Sequence, residues 1–180
     1  MSGRYSGFCL IQDVKHCYVC VTSQQNRHMI KDKATTFIID RATKADYQEL
    51  ISVWEASVRA THDFLSETDI LFYRNLILNQ YFDLVALKCV KDKSGRISGF
   101  LGTTEQKIEM LFIHPASRHK GIGKALIKYA VQELRIKLVD VNEQNKQAVG
   151  FYYAQGFTLK KRSPLDGMGK PYPILHLQMK

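Results

Sequence analysis

The decisive stretch opens with Ile108-Glu109-Met110-Leu111-Phe112-Ile113, is stopped by His114-Pro115, and continues with Arg118-His119-Lys120-Gly121-Ile122-Gly123-Lys124-Ala125-Leu126. The first run has the length and apolar composition of a buried strand. The second is a basic, glycine-bearing turn that enters a helical pattern, because Ile122, Ala125, Leu126, Tyr129 and Ala130 recur with the helical period. Leu138-Val139-Asp140-Val141-Asn142 reads as a further strand. Asn145 then leads a short helix carrying Phe151-Tyr152-Tyr153, which stops at Gly156-Phe157. Glycine is a common residue just past a helix end.

The turn at residues 118–124 has the makings of an anion site. Gly121 and Gly123 remove Cβ atoms where a backbone must approach a ligand closely. The first N–H groups of the following helix have no internal partner and carry the positive end of its dipole. Arg118, Lys120 and Lys124 add charge at the same place. Taken alone, Gly-x-Gly at a helix start is equally a tight turn. A Walker A loop would need glycine at position 118 and Ser or Thr at 125, where Arg118 and Ala125 stand. A dinucleotide fingerprint would need Gly or Ala at position 126, where Leu126 stands.

Outward from this core, residues 1–36 show no sustained period and many polar and turn-forming residues. They are read as an N-terminal extension, with the domain proper at 37–180. Two readings of the extension stand side by side. In one, Met29 is the true start and what precedes it is a mis-called start or a leader; in the other, the segment is an added strand or tail. A strand is expected at 37–41. Thr43-Lys44-Ala45-Asp46 and Ser66-Glu67-Thr68-Asp69 both fit capping boxes, a hydroxyl followed three residues on by a carboxylate. The first opens a helix with Tyr47, Leu50, Ile51, Trp54 and Val58 on one face; the second opens one with Ile70, Tyr73, Leu76 and Ile77 inward. Residues 84–90 and 97–103 read as a hairpin across a polar turn, and 158–161 and 175–179 as the last strands. The order β-α-α-β-β-β-α-β-α-β-β implies an α/β (α+β) domain with a mixed, mostly antiparallel central sheet and helices on both faces.

The 180 residues amount to one domain, and the formal net charge is +9. Such a charge suits nucleic acid or a phosphorylated small molecule. No block of five like charges of the kind that forms a nucleic-acid arm occurs, and the basic residues gather near Gly121. The four cysteines are too few and scattered for a disulfide framework, and the Cys17/Cys20 spacing lacks a second ligand pair, so no metal site is expected. No apolar run reaches membrane-spanning length and no secretory apolar core stands out, so a cytoplasmic protein with no membrane partner is expected.

Two motifs together resemble the GNAT N-acetyltransferases. Arg118, Gly121 and Gly123 fit R/Q-x-x-G-x-G/A after an apolar strand, and Asn145, Ala148, Tyr152, Gly156 and Phe157 fit N-x-x-A-x-x-x-Y-x-x-x-G-F. At finer grain residues 37–179 resemble the small bacterial YjaB-type acetyltransferases, through residues 61–65, 141–145, 148–152 and 169–173. The resemblance implies a splayed strand pair holding acyl-CoA, with acetyl-CoA as co-substrate. By that resemblance Leu111, Phe112 and Ile113 pair with the pantetheine arm. The loop of Arg118, His119, Lys120, Gly121, Ile122, Gly123 and Lys124 holds the pyrophosphate, Asn145 contacts the pantetheine, and the Tyr152 hydroxyl sits near the sulfur. His62 and Phe64 fall where the family forms a wall of the acceptor pocket.

Acetyl transfer to an amine needs a neutral nitrogen, and deprotonating a lysine-type amine at pH 7 costs roughly 4–5 kcal/mol. Glu109 is the candidate base, directly or through a water, on the expectation that it alternates onto the strand face of Leu111 and Ile113. Tyr152 is the candidate acid for the leaving thiolate, with adjacent Tyr153 second. The acceptor stays open among a protein lysine, a peptide N-terminus and a small amine, and the protein is a monomer or homodimer. A degenerate acyl-CoA-binding sensor and a basic nucleic-acid-binding protein are the alternatives.

Overall fold

A computed structural model describes residues 28–32 and 35–180. The Cys17/Cys20 pair and the leader reading lie outside the described residues. Among the described residues eight strands form one sheet: β1 (His28–Asp32), β2 (Thr35–Arg41), β3 (Ala86–Lys91), β4 (Ile97–Thr103), β5 (Lys107–Ile113), β6 (Leu138–Asn142), β7 (Phe157–Ser163) and β8 (Ile174–Met179). Their order is β1-β2-β3-β4-β5-β6-β8-β7. Every neighbouring pair is antiparallel except β5–β6.

Helices α1 (Tyr47–Arg59) and α2 (Glu67–Asn79) pack on one face around Trp54, Tyr73, Phe82 and Phe100. Helices α3 (Ile122–Gln132) and α4 (Lys146–Ala154) pack on the other around Leu126, Tyr129, Val141 and Phe157. Strand β4, covered on both sides, is buried along its whole length. No helix among the described residues is long and apolar enough to cross a membrane.

Local signals account for most boundaries. The Thr43/Asp46 box is formed on both sides and leads through one 3-10 turn into α1. At α2 the Ser66 hydroxyl accepts from Asp69 N, but the Asp69 carboxylate turns away to accept from Tyr172 and Lys170 as well as from the Ser66 hydroxyl. The third strand begins at Ala86 rather than 84. Residues 81–84 instead make a 3-10 turn that sinks Phe82 between Tyr47 and Phe100, with ring centroids 5.0 and 6.0 Å away. The sheet also reaches back into the stretch read as an extension: β1 pairs with β2 from His28↔Ile39 to Asp32↔Thr35 and buries Ile30.

Two irregularities of β5 shape the site. Strands β5 and β6 pair only at Lys107↔Leu138 and Ile108↔Val139. Beyond that, β5 stays with β4 as far as Gly99↔Ile113 while β6 stays with β8, so the two strands part in a V. In the β4–β5 ladder Gly102 faces Met110 and Thr103 faces Ile108, which leaves Glu109 as an extra, bulged residue. The bulge resets the alternation. Leu111 and Ile113 pack toward α3 and α4, whereas Glu109 joins Lys107, whose ammonium meets Asp140 on the opposite face of the sheet from Val139 and Val141. The expected shared face of Glu109, Leu111 and Ile113 is therefore corrected: Glu109 points to the α1/α2 side.

Candidate active site

A cleft of about 460 Å³ opens in the V between β5 and β6. Leu111, Phe112 and Ile113 form one side, and Asn145 and Tyr152 of the α4 segment form the other. Arg118, His119, Gly121, Ile122, Gly123 and Lys124 close its outer end. His62, from the turn after α1, lines it as well. Lys120 is exposed and stands outside the wall, as does Phe64, whose ring packs 5.2 Å from His62 and 5.9 Å from Tyr172. Glu109 faces a smaller inner pocket of about 40 Å³ behind the cleft; His62, Asn145 and Tyr152 border both spaces.

The loop is built to present backbone donors. Gly121 sits at φ +89°, a conformation that a side chain strains, and His119 also has positive φ, at 60°. Gly121 caps α3 without a side-chain bond, and Ala125 N, donating to Gly121 O at 3.0 Å, is the first amide drawn into the helix. The amides of Ile122, Gly123 and Lys124 thus lie at the positive end of α3. A Cβ on Gly123 would stand 3.3 Å from the Phe151 ring and 3.8 Å from Ile113, crowding the floor of the cleft. A cradle of N–H groups interleaved with the glycines at 121 and 123 suits the pyrophosphate of a CoA thioester. Arg118 plays a different part from a free phosphate clamp. Its guanidinium donates to Ser57 O and Ser57 Oγ at 3.2 Å each, closing the last turn of α1, and burial lowers its pKa. Ser57, Thr61, Ser117, Gln147, Ala148 and Phe151 complete the wall. Ser57 and Thr61 come from α1 and the turn after it, Ser117 directly precedes Arg118, and Gln147, Ala148 and Phe151 lie on α4.

Hydrogen bonding settles the protonation of His62. The single proton of Thr61 Oγ1 is donated to Ser57 O at 2.9 Å, so Thr61 accepts from His62 Nδ1–H, also at 2.9 Å. His62 Nε2 is left with its lone pair toward Asn145 Nδ2, 3.5 Å away. Burial pushes the imidazole pKa down to about 4, which keeps this neutral form at pH 7. Asn145 uses its other amide atom, Oδ1, to cap α4 by accepting from Ala148 N at 3.0 Å.

Glu109 is buried, and its pKa is raised by burial against the opposing pull of Lys107, 3.5 Å away, and of the Thr104 hydroxyl, which donates at 3.1 Å. Lys107 bonds Asp140 at 2.9 Å, Asp140 bonds His176 Nδ1 at 2.7 Å, and His176 Nε2 meets Ser163 Oγ at 2.8 Å. The carboxylate thus lies at the end of a hydrogen-bonded chain across β5, β6, β8 and β7. The Tyr152 ring packs against Phe151 and Phe157, while Tyr153 is 45% exposed. Tyr73 donates to Asp166 at 3.1 Å and Tyr172 to Asp69 at 2.8 Å, which anchors the long β7–β8 loop on α2 beside the cleft.

Comparison with known proteins agrees with this geometry. Residues 72–168 match the Acetyltransferase (GNAT) domain. The chain is 39% identical over 139 residues to the peptidyl-lysine N-acetyltransferase YjaB of Salmonella typhimurium, covering 77% of this chain and 95% of that one. It is 37% identical to YjaB of Escherichia coli over 139 residues, 77% of this chain and 94% of that one. The solution structure of apo YjaB from Escherichia coli superposes with a TM-score of 0.72 at 36% identity, over 79% of this chain and 96% of that one. The PaiA N-acetyltransferase of Thermoplasma acidophilum, solved with coenzyme A, shares the fold at a TM-score of 0.65 and 20% identity, over 81% of this chain and 100% of that one. With its splayed strands, its glycine cradle and both motifs, the chain belongs to the GNAT family of N-acetyltransferases.

Proposed function

We propose that this cytoplasmic enzyme transfers the acetyl group of acetyl-CoA directly to the ε-amine of a protein lysine. The observation that carries the donor is the cleft itself, which runs from the V of β5 and β6 to the side-chain-free amides at Gly121 and Gly123. The acceptor class is drawn from the relatives named peptidyl-lysine N-acetyltransferases.

Acetyl-CoA supplies a thioester carbonyl as the electrophile. The loop amides at 122–124, with Lys124, hold its pyrophosphate. Leu111, Phe112 and Ile113 offer backbone groups to the pantetheine arm, since β5 has no partner strand on that edge beyond Ile108 among the described residues. Glu109 takes a proton from the acceptor ammonium, and its raised pKa brings it closer to neutrality as a base. A backbone N–H of β5 meets the oxyanion. Tyr152, bordering both cavities, gives its hydroxyl proton to the leaving thiolate. His62 and Phe64, backed by Tyr172, form the acceptor-side wall.

An acceptor panel tests this reading. Thiol release from acetyl-CoA is followed with a lysine peptide blocked at its N-terminus, a peptide whose free α-amine is its sole amine, and a polyamine. Turnover confined to the lysine peptide is expected. Turnover on the α-amine or polyamine alone would sink the lysine assignment. Absence of turnover with acetyl-CoA bound would point to a sensor.

A further inference from the structure

The inner pocket holds a polar atom that the proposed chemistry has not used. Asn142 ends β6 and is 1% exposed. Its Oδ1 accepts from Gln144 N at 2.7 Å, which fixes the orientation of the amide. Its Nδ2 is buried and has no acceptor among the described residues, and Asn142 is one of the residues that line the pocket. Glu109, His62, Asn145 and Tyr152 border the same pocket. Its volume, about 40 Å³, has room for a water.

We infer that Asn142 is a positioning residue for acetyl transfer: its Nδ2–H donates to one water held against the Glu109 carboxylate. This rests on Glu109 being the base. A water that accepts from Asn142 and donates to Glu109 has its second lone pair and second proton left for the cleft. The acceptor ammonium gives a proton to that lone pair as the water passes one of its own to Glu109. The balance is a neutral amine, a protonated Glu109 and an unchanged water. The amide of Asn142 thereby fixes the direction of the lone pair, which neither the carboxylate nor His62, an acceptor at Nε2, is able to do. Asn142 lies in the 141–145 stretch that carries the resemblance, but its role follows from β6 leaving β5 just where the bulge turns Glu109 toward the gap.

Kinetics with the best acceptor from the panel, and a high-resolution crystal structure, test the inference. Asn142→Asp keeps the shape and the acceptor for Gln144 N while removing the donor; Asn142→Ala removes both. Both variants are expected to keep acetyl-CoA affinity and to lower kcat by roughly 10- to 100-fold, a fraction of what full loss of a base gives. Glu109→Gln with Asn142→Ala is expected to be no slower than Glu109→Gln alone, since both act on one proton transfer. The wild-type crystal structure is expected to place a water within hydrogen-bond distance of Asn142 Nδ2 and Glu109. Additive losses in the double variant, or wild-type turnover by Asn142→Asp, would overturn the positioning role. A crystal structure in which the pocket is dry, or in which a protein acceptor takes Nδ2, would overturn it even with no active acceptor in hand. Failure of Glu109→Gln to slow turnover while Asn142→Ala does would instead remove Glu109 as the base.

Discussion

Tyr152 and His62 show how one residue type takes its role from its surroundings. Tyr152 and Tyr153 are chemically identical neighbours, yet one is 5% and the other 45% exposed. Tyr152→Phe preserves the packing on Phe151 and Phe157 and removes only the hydroxyl. Acetyl-CoA affinity is expected to stay, and kcat and kcat/KM to fall together by about 10²–10⁴-fold, with Tyr153→Phe near wild type. Wild-type turnover by Tyr152→Phe, with chemistry limiting, would leave Tyr152 as packing alone. His62 carries a pH signature. Its folded pKa of about 4 lies below its ordinary value of 6.5, so the unfolded chain binds the proton more readily. Its stabilising contribution is then complete above pH 6.5 and is lost as pH falls toward about 4, by about 3 kcal/mol at the limit. Thermal midpoints measured from about pH 7.5 down to about pH 5 should fall more steeply for the wild type than for His62→Gln. Parallel profiles would show that the fold leaves the pKa of His62 unshifted. The histidine itself was visible in the sequence, but its neutral tautomer was not, because it depends on burial and on Asn145, which meets it only through tertiary contact.

Among the elements, those ruled by local chemistry were legible and those ruled by neighbours were not. The Thr43/Asp46 box, the α3 start at Gly121 and the Asn145 cap of α4 each need only a few consecutive residues, and each is formed. Position 84 looked like strand because Leu84 and Val85 are apolar; Phe82 claimed the core first and held its neighbours in a 3-10 turn. The bulge that reverses Glu109 depends on how β4 registers against β5, which no single-strand pattern records. The loop-to-helix junction supplies the prediction at this scale. Gly121→Val puts a branched Cβ at φ +89° in the cradle. The protein is expected to fold and to lose measurable acetyl-CoA binding. Arg118→Ala should weaken binding less, since the guanidinium braces Ser57 rather than supplying the amides. Unchanged CoA affinity in folded Gly121→Val would place the phosphate site elsewhere.

For the molecule as a whole, the question is where the folding unit begins. Strand β1 buries Ile30 and sets His28 5.0 Å from the Tyr129 ring on α3. We propose that the unit starts at β1 and that residues 1–27 are dispensable for donor binding. A variant beginning at His28 should keep the midpoint and acetyl-CoA affinity of the full chain. One beginning at Phe37 loses the burial of Ile30, about 1.5–3 kcal/mol, and should melt several degrees lower. Equal midpoints for the two would show that β1 adds nothing to the unit; a lower midpoint or lost binding for the variant beginning at His28 would show that residues 1–27 contribute.

The sequence by itself determined the fold class, the helices and the glycine-bearing turn into α3, because period, caps and glycine placement are properties of neighbouring residues. It also carried the order of the two motifs, and so the family. Tertiary structure alone decided which residues share the inner pocket. The parting of β5 from β6 brings Glu109, Asn142, Asn145 and His62 around one pocket from separate elements. It also decided that Lys120 faces solvent while Arg118 reaches across to α1. These outcomes depend on strand register and on contacts between residues up to 83 positions apart, such as Asn145 with His62, and chain-local patterns carry no record of such distances.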